Sequence, residues 1–321
     1  MREVGLPLSG RSPVLAEGCE ELIAFGGRRS SPQHAKCSDG PEPALWTLEL
    51  VPGKLSHGLA SRTRAQGECM VGSRSVATIL GAPFKRRHYA ALGNMWRLYP
   101  DFWRILLRYL SGRGTYPYRC EIRTPCGLIC PTLYSHHDLL TVNEIFCRQD
   151  YLAHETIRVV IDIGSNIGIS ALYFLTRTPA SRCYLFEPDP KNVSRLELNL
   201  VGLESRFVLH RVAVSDVSGR SRFGVEPTGR YGGLTVETGE YIEVECSAIN
   251  DALEAILATE ATIDILKVDS EGTEISTVNA IKPEHVSRIQ CIYLEARPGV
   301  KLHAETHRQD QYGQVCHLTH L

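Results

Sequence analysis

The sequence predicts an α/β protein built on a doubly wound (Rossmann-like), mostly parallel sheet. From residue 157 onward, short apolar runs alternate with segments of helical periodicity, a pattern typical of parallel strands joined by helices. The run "VVIDI", residues 159–163, is apolar at four of five positions, as expected of a parallel strand covered on both faces. It leads into Gly164 and Gly168, and this spacing indicates a tight turn into the next helix.

The remaining elements follow in order. "IGISALYFLTRT" predicts a helix that ends before Pro179, and "RCYLFEP" predicts a second strand. Asp189 is a suitable cap for the helix "PKNVSRLELNLVGL", which has Pro190 at its first position. Further strands are predicted at "RFVLHRVAVSD", "IDILKVD" and "RIQCIYLEAR", with a β excursion, "SGRSRFGV" and "YIEVECSAI", between the first two of these.

Composition shifts divide the chain into four parts: 1–75, 76–150, 151–300 and 301–321. The first is rich in Gly, Ser, Pro and charge, so we expect a disordered or loosely structured extension. The second predicts a helix followed by a β-hairpin. The last is polar, rich in histidine and poor in strand pattern, so we expect an irregular tail that leaves one edge of the sheet incomplete.

The predicted N-terminal helix carries large apolar side chains at helical spacing. Trp103, Leu106, Leu107 and Leu110 share one face, and Gly112 follows as a stop signal. We expect this face to pack on the main domain, with contact to a membrane surface or a partner as the alternative.

Bulk properties restrict the class of protein. The 321 residues carry a formal net charge of −1, so the overall attraction to phosphate that marks many nucleic-acid binders is absent. No apolar run approaches the roughly 18 residues of a membrane span. Eleven scattered cysteines favour reduced thiols, and hence a cytoplasmic protein.

Ligands of such sheets bind beyond the carboxyl ends of the strands. The first strand offers a loop whose backbone can approach a ligand closely, formed by Asp162, Gly164, Ser165, Asn166 and Gly168. Glu187, about 20 residues past the glycine loop, is placed to bind the hydroxyls of a ribose. Asp216 ends the third strand, where it can line an adenine pocket or form a turn.

Two more acids end the last predicted strands. Asp269 falls where "IDILKVD" leaves the sheet and faces the crevice. Glu295 ends "YLEAR", where it faces an acceptor or pairs with Arg297. Lys267 is expected on a helix-covered side with its ammonium group reaching for solvent.

Together these motifs resemble the FkbM-like methyltransferases, which use S-adenosylmethionine. The resemblance rests on "NEIFCRQDY", "VVIDIGSNIGISALYF", "LFEPDPKNVSRLELN", "VAVSDVSG", "DILKVDSEGTEI" and "IYLE", in this order. It implies a class I methyltransferase fold and methyl transfer to a hydroxyl of a small acceptor such as a sugar, glycolipid or polyketide.

The resemblance assigns roles to individual residues. It makes Asp162, Gly164, Asn166 and Gly168 the donor loop, Glu187 the ribose acid and Asp269 the residue near the transferring methyl group. Acids suit a cationic sulfonium donor. A base beside the acceptor hydroxyl would assist transfer, and Asp269 and His137 are the candidates.

Alternatives remain at this point. A nicotinamide-dependent oxidoreductase would require a middle glycine where the loop has Asn166. A nucleic-acid methyltransferase would require a basic face with aromatic side chains that stack on bases. Cys120, Cys126, Cys130 and His136 lack consistent zinc spacing, so no metal is predicted, although a divalent cation at Asp269 and Glu295 stays open. Because the C-terminal segment is atypical, a further alternative is a catalytically impaired remnant of this family that still binds the donor.

Overall fold

The computed structural model describes residues 70–71, 74–75, 86–226, 232–296, 299–312 and 314–321. Most of the predicted extension, residues 1–75, lies outside these ranges. The exceptions are strands β1 (Met70–Val71) and β2 (Arg74–Ser75), which form a short antiparallel pair.

Three helices and two short antiparallel strand pairs precede the main sheet. They are α1 (Arg86–Leu98), α2 (Phe102–Ser111), β3 (Tyr118–Arg119), β4 (Ile122–Thr124), β5 (Gly127–Ile129), β6 (Thr132–Leu133) and α3 (His136–Val142). A π-helical turn, Asn143–Cys147, continues α3. Such turns recur at functional sites, and this one leads towards the carboxyl end of the sheet.

The expected packing face of the N-terminal helix is wrong. The helical segment is broken at Pro100, and α2 buries Phe102 and Ile105 instead. Trp103, Leu107 and Leu110 are exposed. The helix α2 therefore packs through two positions, three residues apart, on its other side. Asp101 caps α2 as a separate helix, so its buried face does not continue the pattern of the preceding helix.

The remaining strands are β7 (Val159–Ile163), β8 (Arg182–Phe186), β9 (Phe207–His210), β10 (Ala213–Ser215), β11 (Gly219–Val225), β12 (Glu240–Ala248), β13 (Ile265–Val268), β14 (Cys291–Glu295), β15 (His307–Tyr312) and β16 (Val315–His320). Seven of them form the main sheet in the order β15-β16-β14-β13-β7-β8-β9. Five neighbouring strands of this sheet run parallel to one another, in the order β14, β13, β7, β8 and β9. This arrangement confirms the predicted doubly wound fold.

Five helices complete the domain: α4 (Ile169–Leu175), α5 (Pro190–Asn199), α6 (Ile249–Leu257), α7 (Glu274–Asn279) and α8 (Pro283–Val286). The predicted cap of α5 is present, since the Asp189 side chain accepts a hydrogen bond from the backbone N–H of Lys191. Apolar clusters cover the two faces of the sheet, and β7 contributes Val160 to one and Ile161 to the other, as its continuous apolar run requires.

The predicted third strand divides in two. Residues 207–210 stay in the main sheet as β9, whereas residues 213–215 leave it as β10 and pair with β12. With β11 they form a separate three-stranded sheet. The predicted β excursion is therefore a small second sheet that begins at the carboxyl end of β9.

The expectation of an irregular tail and an incomplete edge is wrong. β16 pairs antiparallel with β14, and β15 pairs antiparallel with β16. The histidines that obscured the pattern are accommodated by specific contacts: the His307 ring bonds to the Ile289 carbonyl at 3.0 Å, and the His317 ring stacks on Tyr293. The inactive-remnant alternative was based on the expected absence of this hairpin. The structure contains the hairpin.

Candidate active site

A cavity of about 660 Å³ opens at the carboxyl ends of the parallel strands. Its walls include the loop after β7, Glu187 after β8, Asp269 after β13 and Glu295 at the end of β14. Its volume lies in the range of small-molecule sites. The cavity occupies the position expected for a ligand of a doubly wound sheet.

The two glycines of the first loop are required by packing within the protein. Gly164 has φ +75°, and a Cβ there would collide with the backbone carbonyl oxygen of Asp269. Gly168 has φ +86°, and a Cβ would lie 3.2 Å from Cγ of Leu196 on α5. Gly164 lines the cavity and Gly168 does not. Close approach of neighbouring elements thus accounts for both glycines, and the role of Gly164 beside a ligand stays a prediction.

Asn166 and Ser165 together hold the loop after β7 in its conformation. Asn166 adopts φ +48°, and its backbone N–H donates to Oε2 of Glu187 at 2.8 Å. Ser165 is buried, and its hydroxyl donates to the carbonyl of Asp162 at 2.7 Å. Both line the cavity. The loop is therefore fixed to the end of β8 by the same carboxylate that faces the crevice.

Glu187 is buried in the cavity wall with both oxygens engaged. Besides Asn166, the backbone N–H of Asp189 donates to its Oε1 at 3.0 Å. Burial raises the pKa of Glu187 from its usual 4.5 to about 7, although these two N–H donors oppose the shift. A carboxylate offers about four lone-pair positions, so hydroxyl donors of a ligand still find acceptors on this side chain.

A buried lysine holds the ends of β7 and β13 together, and the sequence interpretation placed it elsewhere. Nζ of Lys267 lies 2.9 Å from Oδ1 of Asp162 and 3.3 Å from Oδ2 of Asp269. It also donates to the Gly164 carbonyl at 3.1 Å. Burial by itself lowers the pKa of Lys267, but the two carboxylates outweigh it and raise the pKa above its usual value.

Asp162 and Asp269 consequently play different parts. Asp162 is completely buried behind the loop, where it also accepts a hydrogen bond from Ser170 at 2.5 Å, and it does not line the cavity. Asp269 lines the cavity and is partly exposed. The hydroxyl of Tyr151 donates to its Oδ2 at 3.5 Å. Tyr151 comes from the lead-in segment, and sequence patterns did not single it out.

Glu295 faces the same end of the cavity as Asp269. Val268 is in register with Leu294, so the residues that follow them leave the sheet side by side. Desolvation by the cavity walls raises the pKa of Glu295 from its usual 4.5 to about 7, and the carboxylate of Asp269 adds to this effect. Lys267 opposes it. Glu295 itself remains exposed at the end of β14, and the direction of this pKa shift is upward.

Besides Asp162 and Gly168, two more of the predicted site residues lie outside the cavity. Asp216 is exposed at the turn after β10, and His137 on α3 does not contribute to the walls. Ala213 and Phe223 of the small second sheet, with Leu234 of the connection between β11 and β12, instead supply apolar wall residues. From α3, Asp138 and Thr141 line the cavity and His137 does not.

The described residues contain no group of three or more His, Cys, Asp or Glu side chains arranged to hold a metal ion. Among the cysteines of the lead-in strand pairs, Cys120 is buried, Cys130 is half-buried and Cys126 is exposed.

The sheet order, the antiparallel C-terminal hairpin and the crevice above the parallel strands define a class I methyltransferase fold. Residues 162–312 match the family model described as "Methyltransferase FkbM domain". The resemblance noted in the sequence is therefore confirmed over these residues.

Two characterised relatives align with the chain. The "2-O-methyltransferase NoeI" of Sinorhizobium fredii is 42% identical over 65 residues, which are 20% of this chain and 26% of that protein. The "31-O-demethyl-FK506 methyltransferase FkbM" of Streptomyces tacrolimicus is 26% identical over 212 residues, which are 54% of this chain and 80% of that protein. The first alignment thus spans about a quarter of its relative.

Among solved structures, the methyltransferase FkbM from Methylobacillus flagellatus KT is similar with a TM-score of 0.36 and 16% sequence identity. The match covers 75% of this chain and 60% of that chain.

Within the described ranges, no helix combines the length and hydrophobicity that crossing a membrane requires.

Proposed function

We propose that this domain transfers a methyl group from S-adenosylmethionine to a hydroxyl of a small, polyhydroxylated acceptor. The observation that carries the proposal is Glu187, a buried carboxylate at the end of β8 that lines the cavity while backbone N–H groups fix its orientation. A carboxylate in this position is suited to the two hydroxyls of a ribose.

The rest of the cavity fits the same donor. The wall from the small second sheet is apolar around Ala213, Phe223 and Leu234, and it suits an adenine ring. On the other side of Glu187, the loop at Gly164 and Ser165 leads to Asp269, whose negative charge suits a cationic sulfonium. When bound, the donor supplies a methyl group activated by that positive charge.

The acceptor end of the cavity is polar. Thr141, Glu144, Arg148 and Gln314 line it around Glu295. Hydroxyl-rich molecules such as sugars offer hydrogen-bond donors and acceptors to these groups, and an apolar acceptor offers none. The relatives named as O-methyltransferases support an oxygen acceptor.

Among the candidate bases, the surroundings favour Glu295 over Asp269. Asp269 is already engaged, since the ammonium group of Lys267 lies 3.3 Å from its Oδ2 and the Tyr151 hydroxyl donates to the same oxygen. Glu295 has a pKa raised to about 7, close to the value that suits a general base at neutral pH. We assign Asp269 to holding the reacting groups in place, and Glu295 to accepting the proton that the acceptor hydroxyl loses as its oxygen gains the methyl group.

Ligand binding to the full chain tests the proposal. S-adenosylmethionine or S-adenosylhomocysteine, at about 100 times its dissociation constant, should add roughly 2.7 kcal/mol to the free energy of unfolding, and NAD should add none. Glu187→Gln should weaken donor binding about tenfold or more, because one acceptor of charge-assisted hydrogen bonds is neutralised. The exposed variant Asp216→Asn serves as the control. Stabilisation by NAD alone would refute the proposal.

A further inference from the structure

An uncovered apolar surface lies on the two N-terminal helices. We name it the tryptophan patch, and it consists of Tyr89, Leu92, Trp96, Trp103, Leu107 and Leu110, all exposed. Trp103 and Leu107 keep 65% and 66% of their surface accessible. Single exposed apolar residues need no explanation, but a contiguous group of this size marks an interaction surface.

The patch is continuous across the break between the helices. The rings of Trp96 on α1 and Trp103 on α2 pack edge to face with centroids 6.5 Å apart, and Phe102 contacts both. On α2, positions 103, 107 and 110 follow helical spacing and form one row. The two helices therefore present a single apolar surface.

This surface is held on a firm base. Met95, Tyr99, Phe102 and Ile105 bury the opposite sides of the helices in the core. The side chain of Asn94 donates to the carbonyl of Cys147 at 2.8 Å. The exposure of the patch thus follows from how the helices are docked, since their other faces already fill the core.

The surroundings of the patch are strongly cationic. Residues 89–124 contain six arginines and only two acidic residues, whereas the whole chain has a formal net charge of −1. The arginines are Arg97, Arg104, Arg108, Arg113, Arg119 and Arg123. On α2, Arg104 and Arg108 run along one side of the apolar row, with their guanidinium groups over the ring of Tyr118.

We propose that the tryptophan patch binds the surface of an anionic lipid membrane. Helices with Trp and Leu on one side and arginines beside them lie in the plane of the membrane interface, and they insert only their apolar side chains. Tryptophan and tyrosine favour this interface because each combines an apolar ring with a polar group. Arginines near the surface are attracted to anionic head groups.

Other occupants fit the patch less well. A symmetric contact with a second copy would place the same arginine-rich surfaces against each other, and their like charges would repel. Single-stranded nucleic acid would pair with the arginines and tryptophans, but it offers nothing comparable for Leu92, Leu107 and Leu110. A membrane satisfies both the aliphatic side chains and the charge.

Intrinsic fluorescence tests the proposal directly. The chain has three tryptophans, so the full chain with Trp46→Phe keeps only the two of the patch. Adding vesicles of phosphatidylcholine with phosphatidylserine should shift its emission to shorter wavelength and carry the protein into the vesicle pellet. Vesicles of phosphatidylcholine alone should bind more weakly, and added salt should weaken binding to the anionic vesicles.

A matched pair of variants locates the contact. Leu107→Glu should lower vesicle partitioning at least about tenfold, because it removes an apolar side chain that inserts into the membrane and adds a charge that anionic lipids repel. Leu198→Glu changes a leucine of equal exposure, 66%, on α5, and it should leave partitioning unchanged. Circular dichroism and thermal unfolding confirm that both variants fold.

Three outcomes would overturn the proposal. The first is no vesicle binding by the full chain, or equal binding by Leu107→Glu. The second is a dimer in sedimentation velocity that Leu107→Glu dissociates, which would assign the patch to a second copy. The third is binding of single-stranded RNA, lost in Leu107→Glu, without binding of vesicles. None of these readouts depends on methyl transfer, so the test is independent of the proposed function.

Discussion

Nζ of Lys267 lies 2.9 Å from Oδ1 of Asp162, and both side chains are completely buried between neighbouring strands. The two residues are in register across β13 and β7. Because Lys267 also donates to the carbonyls of Ile163 and Gly164, this pair fixes the backbone from which the donor loop begins. The same ammonium group reaches Asp269. One buried cation therefore positions two strand ends of the candidate site.

Removing this cation should destabilise the protein. Lys267→Met leaves the carboxylate of Asp162 buried without a counter-charge, and we expect a loss of about 3–5 kcal/mol in the free energy of unfolding. Chemical denaturation measures this loss. The double variant Lys267→Met with Asp162→Asn removes both charges and should recover part of it. A double variant no more stable than the single one would show that the ion pair is not the source of the effect.

The glycine loop gives a second prediction about stability. Gly164→Ala should destabilise more than the roughly 1–2 kcal/mol expected for a left-handed backbone alone, because its Cβ also collides with the Asp269 carbonyl. Gly202→Ala is the matched control, with φ +88° and no atom within 4 Å of the added Cβ. Equal losses in the two variants, measured by denaturant titration, would contradict the packing argument.

The strands that carry the site could be predicted because their apolar runs are continuous. "VVIDI" and "CYLF" show that both faces are covered, and the acids after them follow from the chain direction. The role of Lys267 could not be predicted in this way. Its partner Asp162 is 105 residues away in the sequence, and only strand register brings the two together.

The C-terminal hairpin shows a second limit of sequence patterns. "HRQDQY" and "VCHLTH" alternate little in hydropathy, yet both form strands. His307 is buried and His317 half-buried, and stacking and hydrogen bonds engage their rings. The hairpin also matters for the site, since Tyr312, Gln314 and Val315 line the cavity.

The raised pKa of Glu187 predicts how stability depends on pH without ligand. The folded protein holds this proton up to about pH 7, whereas the unfolded chain releases it near pH 4.5. The folded state therefore binds more protons in this interval, and its stability should fall as the pH rises from 4.5 to 7. Glu187→Gln should flatten that part of the profile, measured as the free energy of unfolding at several pH values. An unchanged slope would assign it to other groups.

The affinity for the donor should depend on pH in the opposite sense to the stability. Ribose hydroxyls donate hydrogen bonds, and they bind the ionised Glu187 better than the protonated form. Affinity should therefore rise as the pH passes from 6 to 8, with net release of protons on binding. Calorimetry in buffers of different ionisation enthalpy measures this release. Proton uptake on binding would contradict the assignment of Glu187 to the ribose.

The assignment of Glu295 as base gives the most direct prediction about catalysis. Glu295→Gln should lower kcat by about 10²-fold or more, since proton removal by a positioned group contributes that much. The rate should otherwise rise with pH through about 7, as Glu295 loses its proton, and this limb should disappear in the variant. Release of S-adenosylhomocysteine with a panel of sugars and polyols as acceptors measures both effects.

Two comparisons separate this role from a purely structural one. Donor affinity of Glu295→Gln should stay within about twofold of the unmodified chain, because the ribose contact at Glu187 is untouched. Asp269→Asn should weaken donor binding as well as turnover, since it removes the negative charge beside the sulfonium and one carboxylate of Lys267. Glu305→Gln, an exposed acid ahead of β15, is the control for both. If Asp269→Asn abolishes the pH-dependent limb while Glu295→Gln keeps it, the base is Asp269.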